Sequence, residues 1–265
     1  MAEIDERRAG AAGPSGQNAS ATFGELRANT SKVLAGVYLA SALVWWLAAA
    51  SLPMEAHIPV IAGGVLAVIF AFVFLGLPHH RHPRFGYANL VTAMRAGLIS
   101  LVGAVVLFSD AFGENQIDRM VWATAAAVAF ALSLDGVDGY LARRYRQQSM
   151  FGARFDMELD AFLILILSIA ATVLGKAGAW VLLIGMLRYV FVAAQWFLPW
   201  LRNALPASFR RKSICVVQVA ALCAVMLPFL TQPFSGILCG VALCLLVYSF
   251  AVDILYLAAA RGAKA

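Results

Sequence analysis

Long apolar runs separated by short polar connections fill the chain from residue 33 onward. Eight of them, near 33–52, 58–77, 87–109, 117–141, 157–174, 177–200, 212–230 and 235–258, approach or exceed the roughly 20 residues of helix that cross a hydrocarbon core. The pattern predicts an all-α fold: a polytopic membrane helix bundle of about eight transmembrane helices, with an N-terminal helical hairpin ahead of a six-helix core. Residues 1–28 break the pattern. They are polar, rich in Ala, Gly and Ser, and hold Pro14 with few large apolar side chains, so they are expected to form a disordered tail. The first apolar run starts late and is long enough to span, so it reads as a retained helix and not as a signal peptide. The expected organisation is a cytoplasmic tail over 1–28, a transmembrane hairpin with a basic loop over 29–84, and a core over 85–265.

Composition and charge sharpen this into a topology. Hydrophobic residues make up 62% of the 265 positions and charged residues 13%, with a mean hydropathy of +0.82. A soluble domain carries about a quarter charged residues, so a soluble enzyme is excluded. The net charge of +6 reads as membrane orientation and not as affinity for nucleic acid, because the cations concentrate in alternate connections. One set holds Arg27 and Lys32, Arg81 and Arg84, then Arg143, Arg144, Arg146 and Arg154, then Arg202, Arg210, Arg211 and Lys212, and ends at Arg261 and Lys264. The opposite set carries Glu55, Asp110, Glu114 and Asp118, with Arg119 and Lys176 as its cations. By the positive-inside rule, both termini and the connection between the fourth and fifth spans face the cytoplasm, as in a multi-pass protein of the inner membrane. Cys215, Cys223, Cys239 and Cys244 all fall inside spans without a CxxC pair and read as small packing residues.

The chemistry lies where the fourth span meets the fifth, in DGVDGYLARRYRQQSMFGARFDMELD over 135–160. An Asp at the centre of a transmembrane helix costs roughly 2.5–3.5 kcal/mol on insertion scales, and ionisable groups at membrane depth are functional candidates by default. Helical positions three and four apart share a face. Asp135, Asp138, Gly139 and Ala142 therefore form one stripe, and Gly152, Asp156 and Asp160 a second at the start of the fifth span. Facing each other, the stripes offer four carboxylates beside surfaces that let a ligand approach the backbone. Hard oxygen donors without Cys or His favour Mg²⁺, Mn²⁺ or Ca²⁺ over zinc. Two such ions suit a diphosphate, and Arg143 beside the stripe suits another phosphate or a nucleotide edge. An ion pathway is the alternative reading, since transporters and scaffolds also carry acidic residues on facing helices. Prenyltransferases, whose first paired motif spaces its aspartates four apart, fit less well than the three-residue step from Asp135 to Asp138.

The spacing Asp135-x2-Asp138-Gly139-x2-Ala142-Arg143-x8-Gly152-x3-Asp156-x3-Asp160 resembles the signature of the CDP-alcohol phosphatidyltransferase family at every fixed position. The wider resemblance covers roughly residues 85–258 and leaves the tail and hairpin outside it. It implies an integral membrane enzyme of phospholipid biosynthesis, usually a homodimer. Such an enzyme moves a phosphatidyl or similar group from CDP-diacylglycerol, or another CDP-alcohol, to the hydroxyl of a small alcohol and releases CMP. It also implies that Asp135, Asp138, Asp156 and Asp160 hold two ions, Mg²⁺ or Mn²⁺, with Asp160 as general base. Gly139, Ala142, Arg143 and Gly152 match positions lining the cytidine diphosphate pocket.

Further signals follow from position. Asn89-x2-Thr92-x2-Arg95 opens the third span and resembles the N-x-x-T-x-x-R start of the family's first core helix. The functional reading gives Asn89 and Thr92 contact with the CDP moiety; the bland one is helix-entry chemistry with Arg95 snorkelling to the interface. Arg188 lies too deep in the sixth span for comfortable snorkelling, which leaves either an acceptor phosphate or an ion pair with one of the aspartates or Asp253. Arg211 and Lys212 precede the seventh span and join Arg188 as candidate acceptor-binding cations, tilting the acceptor towards glycerol 3-phosphate or another phosphorylated polyol. Their spacing to Gln218 departs from the K-x-K-T…Q feature of phosphatidylglycerophosphate synthases, and a lipid-headgroup anchor explains them equally well. His79, His80 and His82 read as a basic interfacial loop and not as a metal site. Glu158 lies off the aspartate stripe and is expected to face elsewhere. Trp45, Trp46, Trp196 and Trp200 read as interface belt residues.

Overall fold

The structure is a computed structural model that describes residues 16–79, 85–110, 112, 117–145, 149–203, 205–206 and 208–262. The described residues form eight helices: α1 (Gly16–Ser51), α2 (His57–Gly76), α3 (Tyr87–Phe108), α4 (Ile117–Arg144), α5 (Met150–Val173), α6 (Leu182–Phe197), α7 (Phe209–Met226) and α8 (Phe234–Gly262). Short 3-10 turns lie at Leu77–His79, Ala179–Val181 and Pro199–Arg202, and there is no strand among the described residues. Each expected apolar run is a helix. Six of the eight, all but α5 and α7, are long and apolar enough to cross a membrane by themselves. The other two open with charged residues, Arg154, Asp156, Glu158 and Asp160 on α5 and Arg210, Arg211 and Lys212 on α7, and need their neighbours to shelter those turns.

Helix limits depart from the apolar runs where polar chemistry sets them. Of the tail expected over 1–28, residues 16–28 are helical, because α1 reaches back to Gly16; residues 1–15 lie outside the described residues. Leu26 and Thr30 are buried, and Asn29 Oδ1 accepts a hydrogen bond from Phe85 N at 3.2 Å, so tertiary contacts secure turns that local apolarity alone did not. α5 begins at Met150, seven residues before its apolar run (157 − 150), because the Ser149 side chain caps it by accepting from Gly152 N at 2.9 Å. It ends in a Schellman motif: Gly175 takes a φ of +63°, and the N–H groups of Gly175 and Lys176 return to Thr172 O and Ala171 O at 3.0 Å each.

Helix α3 is the most enclosed span, flanked by α1, α2, α4 and α5. Small residues bring the helices close, as membrane interfaces require. A Cβ added at Gly185 of α6 would lie 2.5 Å from the Leu165 Cα of α5, and one at Gly103 of α3 would lie 2.9 Å from Ile166. Gly97 of α3 is likewise crowded by the Ser41 side chain of α1, so the N-terminal hairpin seats against the core. Ile58, Leu66, Ile99, Leu163, Leu167 and Val225 fill the interior, whereas Leu39, Phe72, Leu75, Trp196 and Phe197 face outward, as lipid contact demands. Trp45 corrects the belt expectation: it is buried, edge-on to Tyr38, while Trp46 and Trp196 stay exposed. Gln218 bridges helices, donating from Nε2 to Ala242 O of α8 at 2.8 Å, while its Oε1 is buried without a hydrogen-bond partner among the described residues. The side chains of His79, His80 and His82 lie outside the described residues.

Candidate active site

Three helices supply the site, and the 3.6-residue repeat decides which side chains reach it. The last turns of α4 carry Asp135 and Asp138, the first turns of α5 carry Asp156 and Asp160, and the first turns of α3 carry Asn89, Thr92 and Arg95 three residues apart. The two aspartate stripes do face each other. Asp135, Asp156 and Asp160 each offer a carboxylate oxygen within 4.8 Å of the others.

A cation from α3 lies among them. Arg95 is 1% exposed and touches all four carboxylates. Its Nη1 lies 2.9 Å from Asp135 Oδ1 and 3.2 Å from Asp138 Oδ2, and also meets Asp156 Oδ1, while Nη2 lies 2.7 Å from Asp160 Oδ1. Nε donates to Ala131 O at 3.1 Å. The snorkelling alternative for Arg95 is thereby overturned. The guanidinium turns inward because unpaired carboxylates at this depth cost far more than the stretched side chain does. Sequence reasoning kept Arg95 apart from the aspartates. The available signal was its register, one helical face with Asn89 and Thr92.

The remaining α3 residues act on the same groups. Thr92 Oγ1 lies 3.0 Å from Asp138 Oδ2 and 3.1 Å from Ala88 O, and Asp138 is the most buried of the four carboxylates, at 7%. Asn89 Nδ2 donates to Phe85 O at 2.5 Å. Its Oδ1 closes on the α5 backbone so tightly that a Cβ at Gly152 would sit 2.6 Å from it. Gly152 therefore serves close approach of α3 to α5. From α7, Cys215 Sγ lies 3.7 Å from Asp160 Oδ2, a contact that no spacing in the sequence announced. Gly139 lies on α4 beside Asp138; the side chains of Ala142 and Arg143 lie outside the described residues.

The three acceptor candidates are not gathered at the carboxylates. Arg188 Nη2 pairs with Glu158 Oε1 at 2.6 Å, which answers the question of its partner with neither an aspartate of the cluster nor Asp253. Glu158 faces α6, away from the aspartate stripe. Arg211 pairs with Asp253 of α8 at 3.2 Å and also meets Pro206 O. Arg210 shares Asp253 at 2.5 Å and donates to Ser249 O and Oγ at 2.7 and 2.9 Å. Lys212 is exposed.

Among the described residues, four carboxylates against one guanidinium leave a formal surplus of three negative charges (4 − 1). Asp135, Asp156 and Asp160 remain 25%, 35% and 20% exposed, so the cluster is partly open. The donor set is all carboxylate oxygen, which fits a hard divalent cation.

The family model for CDP-alcohol phosphatidyltransferase matches residues 85–253, from the residue before Gly86 through the carboxylate that holds Arg210 and Arg211. The chain belongs to the CDP-alcohol phosphatidyltransferase family. It is an integral membrane enzyme of phospholipid biosynthesis that transfers a substituted phosphate group from a CDP-alcohol to an alcohol acceptor, which displaces the ion-pathway alternative. The family depends on divalent metal, and the aspartate cluster is the group of side chains suited to it. No curated protein and no solved structure matches the chain significantly.

Proposed function

We propose that the enzyme transfers the phosphatidyl group of CDP-diacylglycerol to the hydroxyl of a phosphorylated polyol such as glycerol 3-phosphate, at the cytoplasmic end of the bundle. The convergence of four carboxylates from α4 and α5 onto one site carries this reading. Its position supports a lipid donor, because three of the carboxylates are partly open at the ends of membrane helices, where a diphosphate headgroup sits. Orientation rests on charge: Arg144, Arg202, Arg210, Arg211, Lys212 and Arg261 lie at helix ends or in the turn on the aspartate side of the bundle.

Asp135, Asp138, Asp156 and Asp160 would hold two divalent ions, Mg²⁺ or Mn²⁺, which neutralise the diphosphate and the charge developing on the leaving CMP oxygen. Asp160 acts as base. It takes the proton of the acceptor hydroxyl while that oxygen forms a bond to the lipid-bearing phosphorus. The bond from this phosphorus to the bridging oxygen breaks, and CMP leaves with the electron pair. Thr92 positions Asp138 through its hydroxyl, so its part is to orient a carboxylate more than to touch the nucleotide. Asn89 with Gly139, Ala142, Arg143 and Gly152 forms the nucleotide wall. Proximity and preorganised charge supply most of the acceleration.

A phosphorylated acceptor is favoured by helix register. Arg211 precedes Cys215 by four residues on α7, a separation of about 5–6 Å on one helix face, and Cys215 touches Asp160. A hydroxyl at Asp160 thus leaves an acceptor phosphate within reach of Arg211, whose guanidinium has five donors and spends only some on Asp253 and Pro206. Arg188 pairs with Glu158 through Nη2, and its buried Nε has no hydrogen-bond partner among the described residues. The test is CMP release from CDP-diacylglycerol and Mg²⁺ by purified protein, with glycerol 3-phosphate, inositol phosphate, inositol and serine as acceptors. Release with a phosphorylated acceptor, stopped reversibly by chelator, is expected. Release only with uncharged or zwitterionic alcohols overturns the acceptor, and release without divalent ions overturns the metal assignment.

A further inference from the structure

We infer that Arg95 is a tethered counter-ion, a positioning residue that holds the four carboxylates in one cluster, so that the shape of the site does not depend on a bound divalent ion. This rests on the reading of the aspartates as the site of transfer, and it assigns a part to a residue outside the aspartate signature.

Stoichiometry and geometry carry it together. Arg95 reaches Asp135, Asp138 and Asp156 through Nη1 and Asp160 through Nη2. The contacts fall on one oxygen of each carboxylate: Oδ1 of Asp135, Oδ2 of Asp138, Oδ1 of Asp156 and Oδ1 of Asp160. The second oxygen of each remains for other partners, and that of Asp160 meets Cys215. A guanidinium suits this task because it is planar, always charged and able to donate in several directions at once. An ammonium in its place is a point charge that reaches fewer oxygens. The guanidinium is itself anchored, since Nε donates to Ala131 O one turn before Asp135 on α4. Arg95 therefore ties α3 to α4 through a carbonyl and to α5 through Asp156 and Asp160, joining by one side chain the three helices that carry the site. Without it, four like charges face one another among packed apolar helices, where the interaction is little screened.

The experiment is thermal melting of the purified full-length protein in EDTA and in Mg²⁺, for wild type, R95Q, R95K and R95Q/D135N. Wild type is expected to gain a few degrees in Mg²⁺, because ion binding stabilises any folded form, and to gain clearly less than R95Q does. R95Q is expected to lose roughly 5–15 °C in EDTA, the consequence of removing one partner of a buried ion cluster, and to recover most of it in Mg²⁺. Removing one negative charge in R95Q/D135N restores part of the loss in EDTA, and R95K falls between wild type and R95Q. If R95Q proves too unstable to purify, R95K alone decides the matter by whether its loss in EDTA is reversed by Mg²⁺. A loss that neither Mg²⁺ nor D135N relieves marks Arg95 as a packing residue and overturns the proposal, as does an R95Q that melts like wild type in EDTA. None of these melts involves substrate, so a failure to release CMP with every alcohol leaves them interpretable on their own.

Discussion

The two ends of the bundle handle buried charge in opposite ways. At the aspartate end, four carboxylates from α4 and α5 share one guanidinium among the described residues, that of Arg95, so negative charge is left over there. At the other end, the ammonium of Lys176 meets the carbonyls of Leu227, Pro228 and Leu230 at 3.1, 3.4 and 2.9 Å. Ser235 Oγ closes on Lys176 O at 2.5 Å, and Ser109 donates to Glu55 at 2.8 Å. There Lys176 and Ser235 tie together the turns that join α5 to α6 and α7 to α8, and Ser109 and Glu55 tie the end of α3 to the α1–α2 connection. A satisfied polar knot fixes geometry, whereas a surplus of one sign recruits an ion or a substrate. The difference supports the reading of the aspartate end as the site and the other end as scaffold.

Mutations at the two ends should separate turnover from stability. Asp160→Asn is expected to lower the rate of CMP release by roughly 10²–10⁴, the usual worth of a positioned base, with little change in melting temperature. Near-wild-type turnover in this variant removes Asp160 as the base. Gly152→Ala pushes the Asn89 amide away from α5 and is expected to weaken productive donor binding by about tenfold; kinetics with varied CDP-diacylglycerol check this, and an unchanged KM argues that Gly152 serves helix packing alone. At the scaffold end, Lys176→Met removes a charged donor from three carbonyls and should cost about 1–3 kcal/mol of stability. CMP release per folded molecule should stay the same, and a large loss of turnover breaks the division between the ends. The smallest effect belongs to Gly175→Ala, which forces a side chain into a left-handed conformation and should cost about 1 kcal/mol, seen as a melting shift of a few degrees.

Much of the site was legible because helical register is local. Asp135 and Asp138, Asp156 and Asp160, and Asn89 and Thr92 each lie three or four residues apart on one helix, so their shared faces follow from the 3.6-residue repeat. Arg95 lies on the Asn89 and Thr92 face by the same rule, yet its four partners are 40 to 65 residues away (95 to 135, 95 to 160), and no local period reports a contact across helices. Arg188 was visible as a cation too deep for comfort. Its choice of Glu158 over the aspartates depends on the rotation of α5 against α6, set by the close approach at Gly185.

What the sequence alone determined is therefore the set of helices, the end of the bundle where charge collects, and the signature that places the chain in its family. Apolar run length, the positive-inside bias and fixed intrahelical spacing are all properties of neighbouring residues. The tertiary structure decided which charges meet. It turned Arg95 into the centre of the carboxylate cluster, brought Cys215 beside Asp160, committed Arg188 to Glu158 and folded residues 16–28 into α1. Those outcomes depend on how closely packed helices rotate about their own axes, and small residues such as Gly97, Gly152 and Gly185 set that rotation only once their partners are in place.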